Sequence, residues 1–389
     1  MFEIEEVRGQ KAQIKVVGIG GAGGNAINTM IASNLQGVEF IAVNTDLQAL
    51  DSSLAPVKVQ IGTELTRGLG AGSNPQIGRE AALEDRAAIA ESIEGSDMVF
   101  ITAGMGGGTG TGAGPVISGI AKELGIVTVA VVTKPFFYEG RVRCMNAEEG
   151  LKEMKKYVDT FIVIPNDKIG LAVEKGTPLL KSFALANDVL KLAVQGISDI
   201  ILIPGLINVD FADVKTIIAD KGRGVMGCGF VKGEGVAIEA AKKAISNPLL
   251  EDSSIEGAKN ILLNITGGLH LSLDDVQQAA SYIYDSAHEE VNLIFGAVIN
   301  PDIDDEVKIT VIATGFQEEK EKVELPQIKK WTPIKEPVSF KGSDRVLAKS
   351  LGREYIVNAV TADVISYEDP IDIPTFMRKS SFKEMHKEI

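Results

Sequence analysis

Two glycine clusters, each set between an apolar run and a helix-forming stretch, constrain this chain more than any other feature. The first, GIGGAGGNA at residues 18–26, follows QIKVV directly and precedes a stretch holding Ile27, Met30 and Ile31. The second, GMGGGTGTG at residues 104–112, follows MVFITA and precedes Val116, Ile117 and Ile120. A glycine-rich turn from strand to helix bares backbone N–H groups at the positive end of the helix dipole, where phosphate oxygens bind. The second cluster packs six glycines into nine residues, more than a turn needs. Its backbone is free to wrap an anion, and Thr109 and Thr111 add hydroxyls. A dinucleotide-binding domain needs one such loop, and here there are two. No G-x-x-x-x-G-K-[ST] motif occurs, so phosphate charge has to be met by N–H dipoles and a cation, for which Mg²⁺ is the natural choice.

The surrounding pattern predicts an α/β fold with a doubly wound parallel sheet. From Gln13 to about Ile201, amphipathic stretches alternate with QIKVVGIG, VEFIAVN, VKVQIG, DMVFITAG, IVTVAVVT and TFIVIP. Most of these are continuously apolar, as parallel strands covered on both faces are. The stretch from Pro178 to Ile201 carries Leu179, Leu180, Phe183, Leu190, Leu192, Val194, Ile197 and Ile200, which predicts a helix buried around most of its circumference between two domains. Beyond it, VMGCGFV, NILLNITG, VNLIFGAVI and VKITVIATG mix with helices after Asp213, around Glu239 to Ile245, and from Leu273 to His288. That order predicts a smaller α+β domain. With 389 residues, too many for one core, the chain divides into an extension at 1–11, a nucleotide-binding domain at 12–177, a central helix at 178–202 and an α+β domain at 203–316. A charged, proline-containing linker at 317–371 and a tail at 372–389 complete it. Within the linker, REYIVNAVTADVISYED is less disordered in character and is expected to form local structure.

A formal net charge of −14 argues against nucleic acid or an anionic membrane surface as main partner, since both require a basic face. Cys144 and Cys228 lie far apart and outside metal-ligand spacing, which predicts reduced core thiols and no structural metal site. The start MFEIEEVRGQ has neither a basic segment nor an apolar run, and no stretch reaches membrane-span length, so a soluble cytoplasmic protein without membrane insertion is expected.

By themselves the motifs leave two chemistries open. Gly18, Gly20 and Gly23 satisfy G-x-G-x-x-G, and Asp46 at the end of the next strand is placed to bind a ribose hydroxyl, as in an NAD-dependent dehydrogenase. Such an enzyme lacks an obvious catalytic histidine here, because His270, His288 and His386 all fall in the second domain or tail. NVDFADV, residues 208–214, offers Asn208, Asp210 and Asp213 ahead of the apolar Val214, Ile217 and Ile218. Asp at a helix start is routinely a cap, but a cap needs one side chain and three are present.

GGGTGTG resembles the signature of the tubulin/FtsZ superfamily, and GGAGGNA, NTD at 44–46 and NVDFADV are similar to its FtsZ branch. The likeness runs from about residue 12 to 316 and resumes at DIPTFMRK, residues 372–379. The resemblance implies a tubulin-like GTPase that binds GTP and GDP with Mg²⁺ and polymerises head to tail into filaments of the division ring. It places Gly20, Gly21, Ala22, Gly23, Gly24, Asn25 and Asn44 at the nucleotide, and Gly104, Gly106, Gly107, Gly108, Thr109, Gly110 and Thr111 around its phosphates. Glu139 and Arg143 match positions near the ribose. Phe183 matches the residue that stacks on guanine, while Asn187 and Asn166 match its hydrogen-bonding partners. By composition alone Glu139 and Arg143 read as a surface ion pair, Phe183 as core and Asn187 as a solvated residue. Asp210 and Asp213, with Asn208, would complete hydrolysis in the neighbouring subunit, and Asp372 to Lys379 would bind membrane-tethering partners at the division site. A structural filament protein that binds GTP without turnover is the third reading.

Overall fold

In the computed structural model, residues 12–316 are described except 173–175, 204, 208, 220–221, 234, 247–254, 288–289, 301–302 and 304; residues 347–350 and 353–356 are described as well. The chain runs β1 (Ile14–Ile19), α1 (Gly20–Ala32), β2 (Val38–Asn44), α2 (Leu47–Asp51), β3 (Val57–Gln60), α3 (Thr63–Thr66), α4 (Pro75–Glu84), α5 (Arg86–Ile93) and β4 (Met98–Gly104). It continues through α6 (Thr109–Glu123), β5 (Val127–Lys134), α7 (Arg141–Met154), β6 (Thr160–Pro165), α8 (Asn166–Ala172) and α9 (Leu179–Leu202). Then come α10 (Phe211–Ala219), β7 (Gly222–Lys232), α11 (Ala237–Ile245), β8 (Asn260–Gly267), α12 (Leu273–Asp285), β9 (Asn292–Ile299) and β10 (Glu306–Thr314).

Strands β1 to β10 form one sheet, in the order β3-β2-β1-β4-β5-β6-β7-β10-β8-β9. β1 is parallel to both neighbours, with Ile14 opposite Val38 on one side and Met98 on the other. Successive residues point to opposite faces. Val16, Phe40, Phe100 and Val129 therefore enter one core, and Val17, Ile41, Ile101 and Val132 the other. This is why the strands read as unbroken apolar runs.

β7 joins the two parts of the sheet. Its first residues pair parallel with β6, Gly222 opposite Thr160, and its remainder pairs antiparallel with β10, from Val225 opposite Ala313 to Lys232 opposite Glu306. The glycines of VMGCGFV have a packing reason. A Cβ on Gly227 or Gly229 would lie 1.9 Å from the carbonyl oxygens of Ala244 and Ala240, so α11 rests directly on the strand through its buried alanines.

α9 carries a stripe of Ala186, Val189, Leu190, Ala193, Val194, Ile197 and Ile200, all buried, in the same core as Met226, Cys228, Leu262 and Ile312 of the second half of the sheet. Its remaining face is polar. Lys191, Gln195 and Asp199 are half-buried and open on a cavity of about 600 Å³ shared with Ser33 to Gly37 and Asn300. Burial pushes the Asp199 carboxyl up to about 6, opposed by the charge of Lys308 and a hydrogen bond from Gln195. Lys308 is itself pushed down by burial, with Asp199 opposing.

Residues 321–389 form a separate unit. In it a two-stranded antiparallel pair, β11 (Leu347–Ser350) and β12 (Arg353–Ile356), provides local structure within the segment read as linker. The rest of the linker and the tail lie outside the described residues.

Candidate nucleotide site

The two glycine clusters open helices at the ends of adjacent parallel strands, β1 and β4. α1 begins at Gly20 itself, which takes φ +69°, so GGAGG forms the first helical turn rather than a loop before it. α1 and α6 start alike. Their N-cap residues, Ile19 and Gly108, give no side-chain hydrogen bond, and neither first turn holds an acidic residue. α5, α7 and α9 also start without a side-chain cap, whereas α2 is capped by Asp46, α4 by Asn74 and α12 by a Ser272–Asp275 capping box; α1 and α6 are set apart by opening on one shared cavity. Up to four N–H groups at a helix start need an outside partner. At α1 and α6 they are left for an anion.

Between these helix starts lies a cavity of about 350 Å³. Gly20, Gly21, Ala22 and Asn25 line it from α1, and Gly104, Gly107, Gly108, Thr109 and Gly110 from the second cluster. Glu139 and Arg143 line its rim and also form the ion pair their spacing suggests, Arg143 Nε to Glu139 Oε2 at 3.2 Å. Glu139 additionally accepts the Phe136 N–H at 2.9 Å. Phe183 and Asn187 enter from α9, one turn apart. Phe183 is 43% exposed and lies at right angles to Phe136, with ring centroids 5.7 Å apart. Asn166, the first residue of α8, also lines the cavity, and its buried Oδ1 has no hydrogen-bond partner among the described residues.

Five of the expected residues are elsewhere. Gly23 is a packing glycine, since a Cβ there would sit 2.5 Å from the Thr102 carbonyl oxygen under α1. Gly24 faces open space along the helix. Asn44 is buried and accepts the Asp46 N–H. Gly106, at φ +99°, lies against the Arg143 backbone. Thr111 turns its hydroxyl inward to accept the Gly106 N–H at 2.7 Å. Of these, Gly106 and Thr111 brace the second glycine loop from within.

Thr45 was not foreseen. Fully buried, it places its hydroxyl 2.7 Å from that of Thr109, and its carbonyl accepts the Thr66 hydroxyl and the Gly70 N–H. The loop after Thr66 has positive φ at Arg67, Gly68, Gly70, Gly72 and Ser73. It packs on Gly108, where a Cβ would lie 2.8 Å from Ala71 Cβ and 3.0 Å from Asn74 N. Only the threonine between two noted residues of NTD marked the position in sequence.

Asp210 is a cap. Its Oδ1 accepts the Asp213 N–H at 2.8 Å, and α10 starts at Phe211, so Asp213 lies in the first turn rather than ahead of the helix. Asp213 is exposed, and its carboxylate has no hydrogen bond or ion pair among the described residues. Asn208 lies outside the described residues.

The family model of the tubulin/FtsZ GTPase domain matches residues 13–173, and that of the FtsZ C-terminal domain matches residues 222–317. A solved FtsZ dimer from M. jannaschii is 44% identical, covers 79% of this chain and 89% of its own, and superposes with a TM-score of 0.76. The chain belongs to the FtsZ family. A tryptophan-to-tyrosine mutant of M. jannaschii FtsZ gives 44% identity, 79% and 92% coverage, and a TM-score of 0.75. CetZ2 from Haloferax volcanii, solved as a GTPgS-bound protofilament, shares the fold at 19% identity, with 79% and 94% coverage and a TM-score of 0.67.

As an FtsZ-family member the chain is a GTP-binding GTPase of a filament-forming, cell-division family. The dehydrogenase reading fails on family; Asp46 Oδ1 caps α2 by accepting the N–H groups of Gln48 and Ala49. Among the described residues no helix is long and apolar enough to cross a membrane, and no cluster of three or more His, Cys, Asp or Glu could hold a metal. The cavity's one carboxylate, Glu139, is paired with Arg143. That donor set suits Mg²⁺ held chiefly by phosphate oxygens and water, its common mode at nucleotide sites.

Proposed function

We propose that the chain binds GTP in this cavity and hydrolyses it only where a second subunit stacks on the first, in filaments that build the division ring. The observation that carries the reading is the length of α9. Phe183 and Asn187 near its start line the cavity, whereas the Asp210 and Asp213 loop follows its far end. From Phe183 to Leu202 the helix rises about 28 Å. An acid loop placed beyond the far end of that helix is positioned to serve a neighbour's nucleotide rather than its own. A contact joining opposite ends of identical subunits does not close, so it propagates as a filament. Large apolar side chains are exposed at both ends: Phe137, Tyr138, Val142 and Met145 beside the cavity rim, and Leu206, Leu269 and Leu273 near the acid loop.

In this scheme the N–H groups of α1 and α6 and the Thr109 hydroxyl receive the phosphates and stabilise charge that develops on them. Mg²⁺, when bound, neutralises phosphate charge. Phe183 stacks on guanine, Asn166 and Asn187 hydrogen-bond its edge, and Glu139 and Arg143 sit by the ribose. The neighbour's Asp213 orients the attacking water, and Asp210, by capping α10, holds Asp213 in place. Turnover per subunit should be nearly absent in dilute solution and rise above a threshold concentration. Phosphate release proportional to protein from the lowest concentrations would refute the shared site, and GTP binding with no release at any concentration would favour a structural filament.

Residues 372–379, outside the described residues, pair apolar Ile373, Phe376 and Met377 with Arg378 and Lys379. We assign this peptide to membrane-tethering partners beneath the membrane at the division site. Deletion of residues 372–389 should spare assembly and hydrolysis and abolish recruitment to adaptor-bearing vesicles. Normal recruitment of the truncated chain would remove the assignment.

A further inference from the structure

The loop that leads to Asp210 is fastened to the outer edge of the sheet, and we infer that this clasp, made by Gly205, Leu206 and Ile207 against Ala297, positions the acid loop for hydrolysis. The inference rests on the shared-site reading above. β9 is the last strand of the sheet and pairs with β8 on its inner side only. Alternate residues of a parallel edge strand turn both backbone groups outward. Ala297 uses both on the loop: its carbonyl accepts the Leu206 N–H at 2.9 Å, and its N–H is donated to the Ile207 carbonyl at 3.3 Å. The pair forms an antiparallel bridge, Ile207 opposite Ala297.

Gly205 allows the approach. A Cβ there would lie 2.3 Å from the Ala297 carbonyl oxygen, a backbone atom that has no flexible end to swing aside. Two residues beyond the bridge, Val209 is buried in the core shared with α9, and Asp210 then caps α10. Three fixed points within six residues hold the acid loop as a rigid extension of β9. Reaching the water at a neighbour's γ-phosphate demands placement that a free loop cannot hold, and an error of about 1 Å costs up to about 10²-fold in rate.

Gly205→Ala is the test, with Gly296→Ala as its control. A methyl at Gly296 meets nothing closer than 3.7 Å, so that variant should turn over like wild type. Gly205→Ala should bind GTP with unchanged affinity and assemble above the same threshold, yet lose about tenfold or more of kcat. A purely structural role would lower melting temperature and assembly together and leave the turnover of assembled subunits intact. Should Gly205→Ala not fold, Leu206→Pro, which removes the N–H given to Ala297 and also fixes φ at that residue, carries the same expectation. Wild-type kcat in the folded variant overturns the clasp. Asp213→Ala, measured alongside, separates the two ideas: if it is inactive while Gly205→Ala is fully active, the clasp alone falls, and if it is itself fully active, the shared site falls first.

Discussion

Asp213→Ala subunits are expected to bind GTP normally, to assemble, and to lose about 10²-fold or more of their turnover. The residue lies in the first turn of α10, exposed, beyond the end of α9 opposite the cavity, so its removal leaves every cavity-lining group in place. Loss of kcat without loss of affinity is the signature of a group that acts in the transition state alone. Asp210 differs, because its carboxylate is already engaged on the Asp213 N–H. Mixing sharpens the test. An Asp213→Ala subunit holds GTP but lacks the acid, whereas a Gly108→Asp subunit lacks GTP but carries the acid. Junctions that present the acid of the second to the nucleotide of the first should recover part of the activity. Full turnover by Asp213→Ala alone would sink the proposal.

Gly108→Asp is expected to lower GTP affinity by about 10²-fold to 10³-fold, equivalent to about 3–4 kcal/mol and to the loss of a few charge-assisted hydrogen bonds. From sequence, Gly108 reads as a place where the backbone meets phosphate without a side chain between. The direction of its missing Cβ shows a different cause. The side chain would strike Ala71 and Asn74, so the loop at 67–74, which folds over Gly108 through five residues at positive φ, has to move. The new carboxylate would also stand at the N-cap of α6, where it accepts the N–H groups a phosphate needs and repels its charge. Equilibrium dialysis against labelled GTP, with circular dichroism to confirm the fold, decides the matter. Unchanged affinity would take this loop out of the site.

Much of the architecture was legible because its causes are local. Ten strands were marked by strand-forming runs, most of the early ones continuously apolar, and the two glycine clusters stood between strand and helix, where phosphate sites form. Missing caps at Ile19 and Gly108 were legible too, since neither residue carries a side chain able to cap. Phe183, Asn187 and Asn166 were different. They entered only through family resemblance, because nothing in their immediate surroundings separates a cavity residue from a core or solvated one.

What sequence alone determined here is the sheet, the helix starts and the chemistry they offer, all of which follow from periodicity and composition over a few residues. What tertiary structure decided is direction and distance. Gly23, Gly106 and Gly108 all belong to glycine clusters, yet their absent side chains make room for the Thr102 carbonyl, the Arg143 backbone and the loop at 67–74. Thr45 became part of the site through Thr109, sixty-four residues away, and Ala297 clasped the acid loop from ninety residues downstream of Ile207. Such contacts depend on how separate elements pack, and a side chain's local pattern carries no record of which remote atom it will face. The length of α9 adds the last decision: Phe183 and Asn187 line the cavity from near its start, and the chain reaches Asp210 and Asp213 only after its far end.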